Sequence, residues 1–320
     1  MSTGFKKTMT IIPQNRRWEH MQTRFYEIFK LTAFALLLIL ISTGLFTIIY
    51  LGFMQNNVFS DRIPEAETQP ILEEFIAGKI GFQETLDRYN AILNPLREEF
   101  SKEMGENPGK LEVLFYDKMF SDKPHYTLVH SVSWFLCYIV VGYFFYKKIL
   151  QIPITDLQEE LSLKVILKGI GNGFALFLAV LLISNILLAL GVKMEPGIFS
   201  EKLSASLAGG NGYLLAWGIY TIGMITGIME EVFFRGFLLK SFIDKNLEQE
   251  GLMIISLIFG WLHFGSGTTV AVPFLLTFVG MYFGFLYLKT KNLWISVACH
   301  ASYNIFGLLA AYMKMDGVTP

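Results

Sequence analysis

Glu230, Glu231 and Arg235 stand inside GIMEEVFFRG, a stretch otherwise composed of residues suited to a lipid interior. Further along, His263 closes FGWLH, and His300 and Asn304 frame HASYN, again within apolar runs. Glutamates and histidines exchange protons and can activate water, while an imidazole beside an amide offers donors to an oxyanion. An ionisable group within a membrane span costs at least about 2.5–3.5 kcal/mol to insert, so each needs a partner or a purpose.

Spacing divides these groups. Glu231 and Arg235 are four residues apart, share a helix face and can neutralise one another as an ion pair. Glu230 is rotated by about 100° from Glu231 and does not face Arg235. It is the less neutralised carboxylate and the candidate general base. His300 and Asn304, also four apart, present their side chains side by side as an oxyanion-binding pair. A purely structural role would suffice for Glu231 with Arg235. Packing does not account for three separate segments delivering polar groups to one depth. His20, His125 and His130 fall in a leader or at a membrane edge and receive no role. Phe259, four residues before His263, is expected to shield the site.

The segments that must position these groups are apolar. Of 320 residues, 53% are hydrophobic and 17% charged, too apolar for an ordinary soluble domain of this length. The expected fold class is all-α: a polytopic integral membrane helical bundle with about seven transmembrane segments and a small helical extramembrane insertion. The first run, Leu31–Phe53, suffices to span a hydrocarbon core of about 30 Å. Further runs cover Tyr126–Tyr146, Val165–Val192, Tyr213–Leu239, Leu252–Phe264, Val272–Leu288 and Leu293–Met313. Leu252–Phe264 is short and needs polar flanks or an irregular end to complete a crossing. If the helices carrying the motifs begin or end near Lys240, Leu252 and Leu293, then Glu230 and His263 lie about 15–16 Å deep and His300 and Asn304 about 10–17 Å deep. All four meet at one level in a seven-span topology.

Orientation follows from basic residues beside the spans. Lys6, Lys7, Arg16, Arg17, Arg24 and Lys30 precede the first run, and acidic residues follow it. The N-terminus is expected in the cytoplasm, together with Lys147, Lys148, Arg235, Lys240, Lys245, Lys289 and Lys291. The organisation expected is a cytoplasmic leader over 1–30, a first span over 31–53, an extracytoplasmic helical insertion over 54–124, a second span and cytoplasmic loop over 125–164, a membrane core over 165–313 and a tail over 314–320. Nothing in the insertion suggests a catalytic constellation. Glycine pairs Gly223/Gly227 and Gly280/Gly284 permit close helix approach, with chance spacing in a chain of 28 glycines as the alternative. The net charge of −1 excludes a global field for nucleic acid. Cys137 and Cys299 fall in apolar runs and form no disulfide framework. No CxxC, HExxH, Walker A or GxGxxG pattern occurs.

EEVFFR at 230–235, FGWLH at 259–263 and HASYN at 300–304 resemble, in order, the EExxxR, FxxxH and HxxxN motifs of the CPBP (Abi) family, which includes the type II CAAX prenyl proteases. The resemblance covers roughly residues 165–313. It implies an intramembrane endopeptidase of glutamic type. Carried onto this chain, Glu230 and His263 activate water, His300 and Asn304 hold the oxyanion, and Glu231 and Arg235 support them. No cofactor is implied. A zinc site of Glu230, His263 and His300 is the alternative, disfavoured because no tight pair of histidines four residues apart is present. The expected partners are membrane lipids and a membrane-associated polypeptide substrate in a bacterial plasma membrane. The competing functions are a non-catalytic membrane protein of the bacteriocin-immunity or scaffold type, which the resemblance also allows, and an ion-coupled transporter. Against a transporter, no inverted repeat is evident.

Overall fold

A computed structural model of the protein describes residues 14–121, 125–151 and 161–314. Residues 1–13 of the expected leader, part of the loop expected before residue 164, and residues 315–320 of the expected tail lie outside the described residues. Among those described, the secondary structure is helical apart from an antiparallel bridge between Pro196 and Thr268. The all-α membrane bundle expected from composition is what the chain adopts.

Six helices are long and apolar enough to cross a membrane, at Met21–Ser60, Ser131–Ile149, Leu163–Ala189, Gly212–Ile243, Ala271–Thr290 and Leu293–Tyr312. The first belongs to α1, Gln14–Ser60, which runs unbroken from the first apolar run into the insertion. The insertion continues as α2 (Glu65–Ile76), α3 (Phe82–Glu106) and α4 (Pro108–Ser121). Helix α5 covers 125–150 and α6 is Leu163–Ala189. The short α7, Ile198–Ala208, precedes α8, Gly212–Ile243. Then come α9 (Glu248–Trp261), α10 (Ala271–Thr290) and α11 (Leu293–Tyr312).

The fifth of the seven expected runs, Leu252–Phe264, is the exception in length. It forms α9, a helix of 14 residues, about 21 Å long at about 1.5 Å per residue. Arg24 of α1 pairs with Glu250 at 2.5 Å at one end of it. At the other end the helix stops before Gly265-Ser266-Gly267, and an irregular segment leads into α10. That segment's backbone is satisfied by a facing loop: Thr269 donates its N–H to the Glu195 carbonyl, and Ile198 donates to the Ser266 carbonyl, each at 3.0 Å. Non-helical backbone at this position is tolerated because protein groups take up its hydrogen bonds.

Glycines set how close the helices come. A Cβ on Gly227 of α8 would meet the Ala301 backbone of α11 at 3.0 Å, and one on Gly223 would meet Ile305 at 2.6 Å. On α10, a Cβ at Gly280 would sit 2.8 Å from the Phe259 ring of α9. Both GxxxG pairs are therefore contact surfaces. A third, Gly169 and Gly173 on α6, has the same spacing and was not singled out from the sequence. It faces α11, where an added Cβ at Gly173 would collide with the Ser302 hydroxyl and the Cys299 carbonyl.

The insertion is packed onto the bundle. Phe115, Tyr116, Met119 and Phe120 of α4 join one buried cluster with Tyr50, Met54 and Val58 of α1, Leu203 and Leu207 of α7, and Leu308 of α11. Ion pairs reinforce it, Lys118 with Asp61 at 2.6 Å and Lys202 with Asp117 at 2.8 Å. Within the insertion, hydrogen bonds from Lys110 and then Arg62 hold the Glu103 carboxyl below its usual range.

Gly173→Ala is expected to lower stability by about 1–3 kcal/mol because backbone must move to admit the methyl group. Gly171→Ala, where nothing lies within 4 Å, is expected to be neutral or to stabilise by up to about 1 kcal/mol through helix propensity. Thermal unfolding of the two variants in detergent tests the contrast, and equal effects would refute the close α6–α11 packing.

Candidate active site

The site is built from four helices and a turn. Helix α8 carries Glu230 and Glu231 between two stretches wound as wider π turns, Ile219–Thr226 and Val232–Leu239, the second of which holds Arg235. The Thr226 hydroxyl donating to the Thr221 carbonyl five residues back is a sign of this winding. Such segments alter which faces align and recur at functional sites.

Arg235 is fully enclosed, with 1% of its surface exposed, and Glu231 has none. Arg235 Nη1 donates to Glu231 Oε1 at 2.9 Å, and Nη2 donates to the Gly280 carbonyl of α10 at 2.6 Å. The rings of Phe259, Phe283 and Phe234 lie 5.0, 5.5 and 5.9 Å from the guanidinium carbon. The ion pair inferred from the four-residue spacing is present, and aromatic faces and a carbonyl complete the cation's surroundings.

A contact that spacing could not reveal joins this pair to α11. His300 Nδ1 donates to Glu231 Oε1 at 2.8 Å. Its other nitrogen, Nε2, faces Glu230 Oε2 at 3.7 Å. Glu231 therefore holds Arg235 and His300 through one oxygen, and Oε2 has no hydrogen-bond partner among the described residues. Phe283 stacks on the His300 ring with centroids 4.4 Å apart and planes at 17°. The imidazole is thus fixed in tilt by a ring and in direction by a carboxylate. Asn304, one turn further along α11, donates Nδ2–H to the Ile222 carbonyl of α8 at 3.1 Å, which leaves its second amide hydrogen free to donate.

His263, near the far end of the expected run Leu252–Phe264, stands outside the helix. It follows the last turn of α9, in the segment that hooks onto residues 193–198, and is exposed. Its Nδ1 lies 2.8 Å from the Phe259 carbonyl. A carbonyl only accepts, so Nδ1 carries the hydrogen and Nε2 of the neutral ring is the free acceptor. The Phe259 ring lies between the two histidines, 4.9 Å from His263 and 6.0 Å from His300. No hydrogen bond joins His263 to Glu230 among the described residues.

Glu230, His263, His300 and Asn304 all line one cavity of about 550 Å³. Glu231 and Arg235 stand behind its wall. Phe259 lines it too, as do Phe177 of α6, Ile222 of α8 and Leu276 of α10, so a mostly apolar chamber carries a few convergent polar groups, the usual make-up of a binding site. The cavity also reaches Glu112 and Tyr116 of the insertion. No pattern in the sequence pointed to those two. Among the described residues, no group of three or more His, Cys, Asp or Glu side chains is arranged to hold a metal ion.

Residues 212–306 match the family model described as type II CAAX prenyl endopeptidase Rce1-like. No curated protein and no solved structure matches the chain. The matched stretch contains all three motifs and excludes the insertion, and it carries the signature of a CAAX-type membrane protease, in agreement with the resemblance read from the motifs.

Replacing Arg235 with Met removes the partner of a fully buried carboxylate, and a broken buried pair costs about 3–5 kcal/mol. A large drop in the unfolding temperature in detergent is expected, larger than for Lys118→Met at the partly exposed pair with Asp61. Comparable drops would refute the enclosed character of the Arg235 site.

Proposed function

We propose that the chain is an intramembrane endopeptidase that hydrolyses peptide bonds of membrane-associated polypeptides, with water activated by Glu230 and His263. The observation that carries this function is the shared cavity: the four polar groups named from sequence, drawn from α8, α11 and the turn after α9, line one apolar chamber. A structural ion pair would need only Glu231 and Arg235, which lie behind that wall.

The proposed reaction uses the groups as follows. Water entering the cavity gives a proton to Glu230, aided by the free Nε2 acceptor of His263, and its oxygen adds to the scissile carbonyl carbon. The charge that develops on the carbonyl oxygen is stabilised by hydrogen bonds from His300 Nε2–H and from the second Nδ2–H of Asn304. For this His300 must be an imidazolium. The proton taken from water passes to the leaving nitrogen as the C–N bond breaks. Phe259 and Phe283 keep the surroundings apolar, where fixed donors act most strongly.

Glutamic rather than metal catalysis is part of the same proposal, as is a cytoplasmic N-terminus in a bacterial plasma membrane. Lys240, Lys245, Lys289 and Lys291 fall at or just beyond the C-terminal ends of α8 and α10, and Arg24 of α1 pairs with Glu250 at the start of α9, which supports that orientation.

Glu230→Gln keeps the shape of the side chain and removes the base. We expect cleavage of membrane polypeptides by the purified protein in proteoliposomes to fall by about 10²–10⁴-fold, with the unfolding temperature little changed. Retained turnover would refute the assignment of the base. Preservation of the chain's biological effect in this variant would favour a non-catalytic role. Activity abolished by a chelator and restored by zinc would replace the metal-free mechanism.

A further inference from the structure

The cavity's outer wall belongs to a part of the chain that the family match does not include. Glu112 and Tyr116 of α4 line it together with residues 196–200 at the start of α7. That wall is rigidly held. Phe199 packs edge-on against Tyr116 and Phe120 at 5.4 and 5.3 Å, and Phe115 packs on Tyr50 and Phe53 of α1 at 5.5 and 5.9 Å. The cations near this helix are already engaged, Lys118 by Asp61 and Lys202 by Asp117. Glu112 has no cationic partner among the described residues. Its neighbour is the Tyr116 hydroxyl, which burial and then the charge of Glu112 push up, so the phenol remains a donor.

The lining holds two carboxylates, and its one cation in the proposed reaction, His300, is engaged with the oxyanion. Its ionisable groups besides Tyr116 and Tyr303 are Glu112, Glu230, His263 and His300, with no Lys or Arg among the described lining residues. A substrate bound through a free C-terminal carboxylate would meet two carboxylates and no fixed lysine or arginine to pair with it. A polypeptide carrying a lysine or arginine within a few residues of the scissile bond would have a carboxylate, Glu112, for that cation and an apolar wall for its stem in the same chamber.

We infer that Glu112 is a specificity residue supplied by the insertion, and that the substrate is a polypeptide cut at an internal bond next to a basic residue. This inference rests on the peptidase function proposed above. The insertion is then part of the substrate site, and the preference it confers differs from recognition of a chain terminus.

The test uses the full-length protein in proteoliposomes and a peptide library made from membrane proteins by cleavage after glutamate, which leaves Lys and Arg internal. Cut sites are read by mass spectrometry with Glu230→Gln as the blank. Lys and Arg are expected to be enriched within a few residues of Glu230-dependent cuts. For a synthetic peptide of the best-cut sequence, Glu112→Gln is expected to lower kcat/KM about tenfold, with little change for the same peptide bearing Gln in place of its basic residue. The retained rate on the second peptide reports an intact fold. If Glu112→Gln is inactive on both, Glu112→Asp should restore the preference for the basic peptide, and failure to do so overturns the inference. Glu230-dependent cleavage without basic enrichment, or with enrichment unchanged in Glu112→Gln, overturns the inference and leaves the peptidase function standing. Absence of any Glu230-dependent cleavage overturns both.

Discussion

A guanidinium enclosed in an apolar helical bundle has to be neutralised and hydrogen-bonded where it stands, and the arrangement around Arg235 follows from that requirement. Glu231 supplies the opposite charge from the same helix. The Gly280 carbonyl supplies an acceptor from α10, and three phenylalanine rings supply π faces from α8, α9 and α10. Together these contacts tie α8 to α9 and α10. Glycine at 280 is required because the carbonyl reaches Arg235 only if α10 comes close, where a Cβ would strike the Phe259 ring. The neutralising pair therefore orders the bundle as well as offsetting a charge.

The same carboxylate passes this order to α11. By accepting from both Arg235 and His300, Glu231 turns a buried ion pair into a support for an imidazole whose far nitrogen faces Glu230. Two adjacent glutamates end in different surroundings, one enclosed behind the wall and one lining the chamber. The 100° that separates neighbouring helix positions is the geometric origin of the division.

Helix α9 meets a different constraint. It ends at Trp261, and His263 follows in non-helical chain, exposed but lining the chamber. This works because the loop at 193–198 accepts and donates the backbone hydrogen bonds that lipid could not. The clasp couples His263 to α7, and α7 packs on α4 of the insertion. The insertion and the helices that carry the three motifs are in this way one structure around one cavity, although the family match covers only residues 212–306.

Much of this was legible before any coordinates. The membrane class, the helical fold, the Glu231–Arg235 pair and the grouping of Glu230, His263, His300 and Asn304 follow from hydropathy and from intervals of four residues. Both reflect local physics, since burial in lipid and helical repeat act along a single segment. The bond from His300 to Glu231 joins residues 69 apart, and the contribution of Glu112 to a cavity shared with Asn304 joins residues still further apart. No periodicity encodes such contacts. They depend on how far each helix slides and turns against its neighbours, which the packing of Gly169, Gly173, Gly227 and Gly280 decides only once all the helices are together. The sequence by itself determined which groups must be neutralised; only the tertiary structure decided which of them share a proton partner and which face the chamber, because those outcomes rest on distances between helices that no single helix contains.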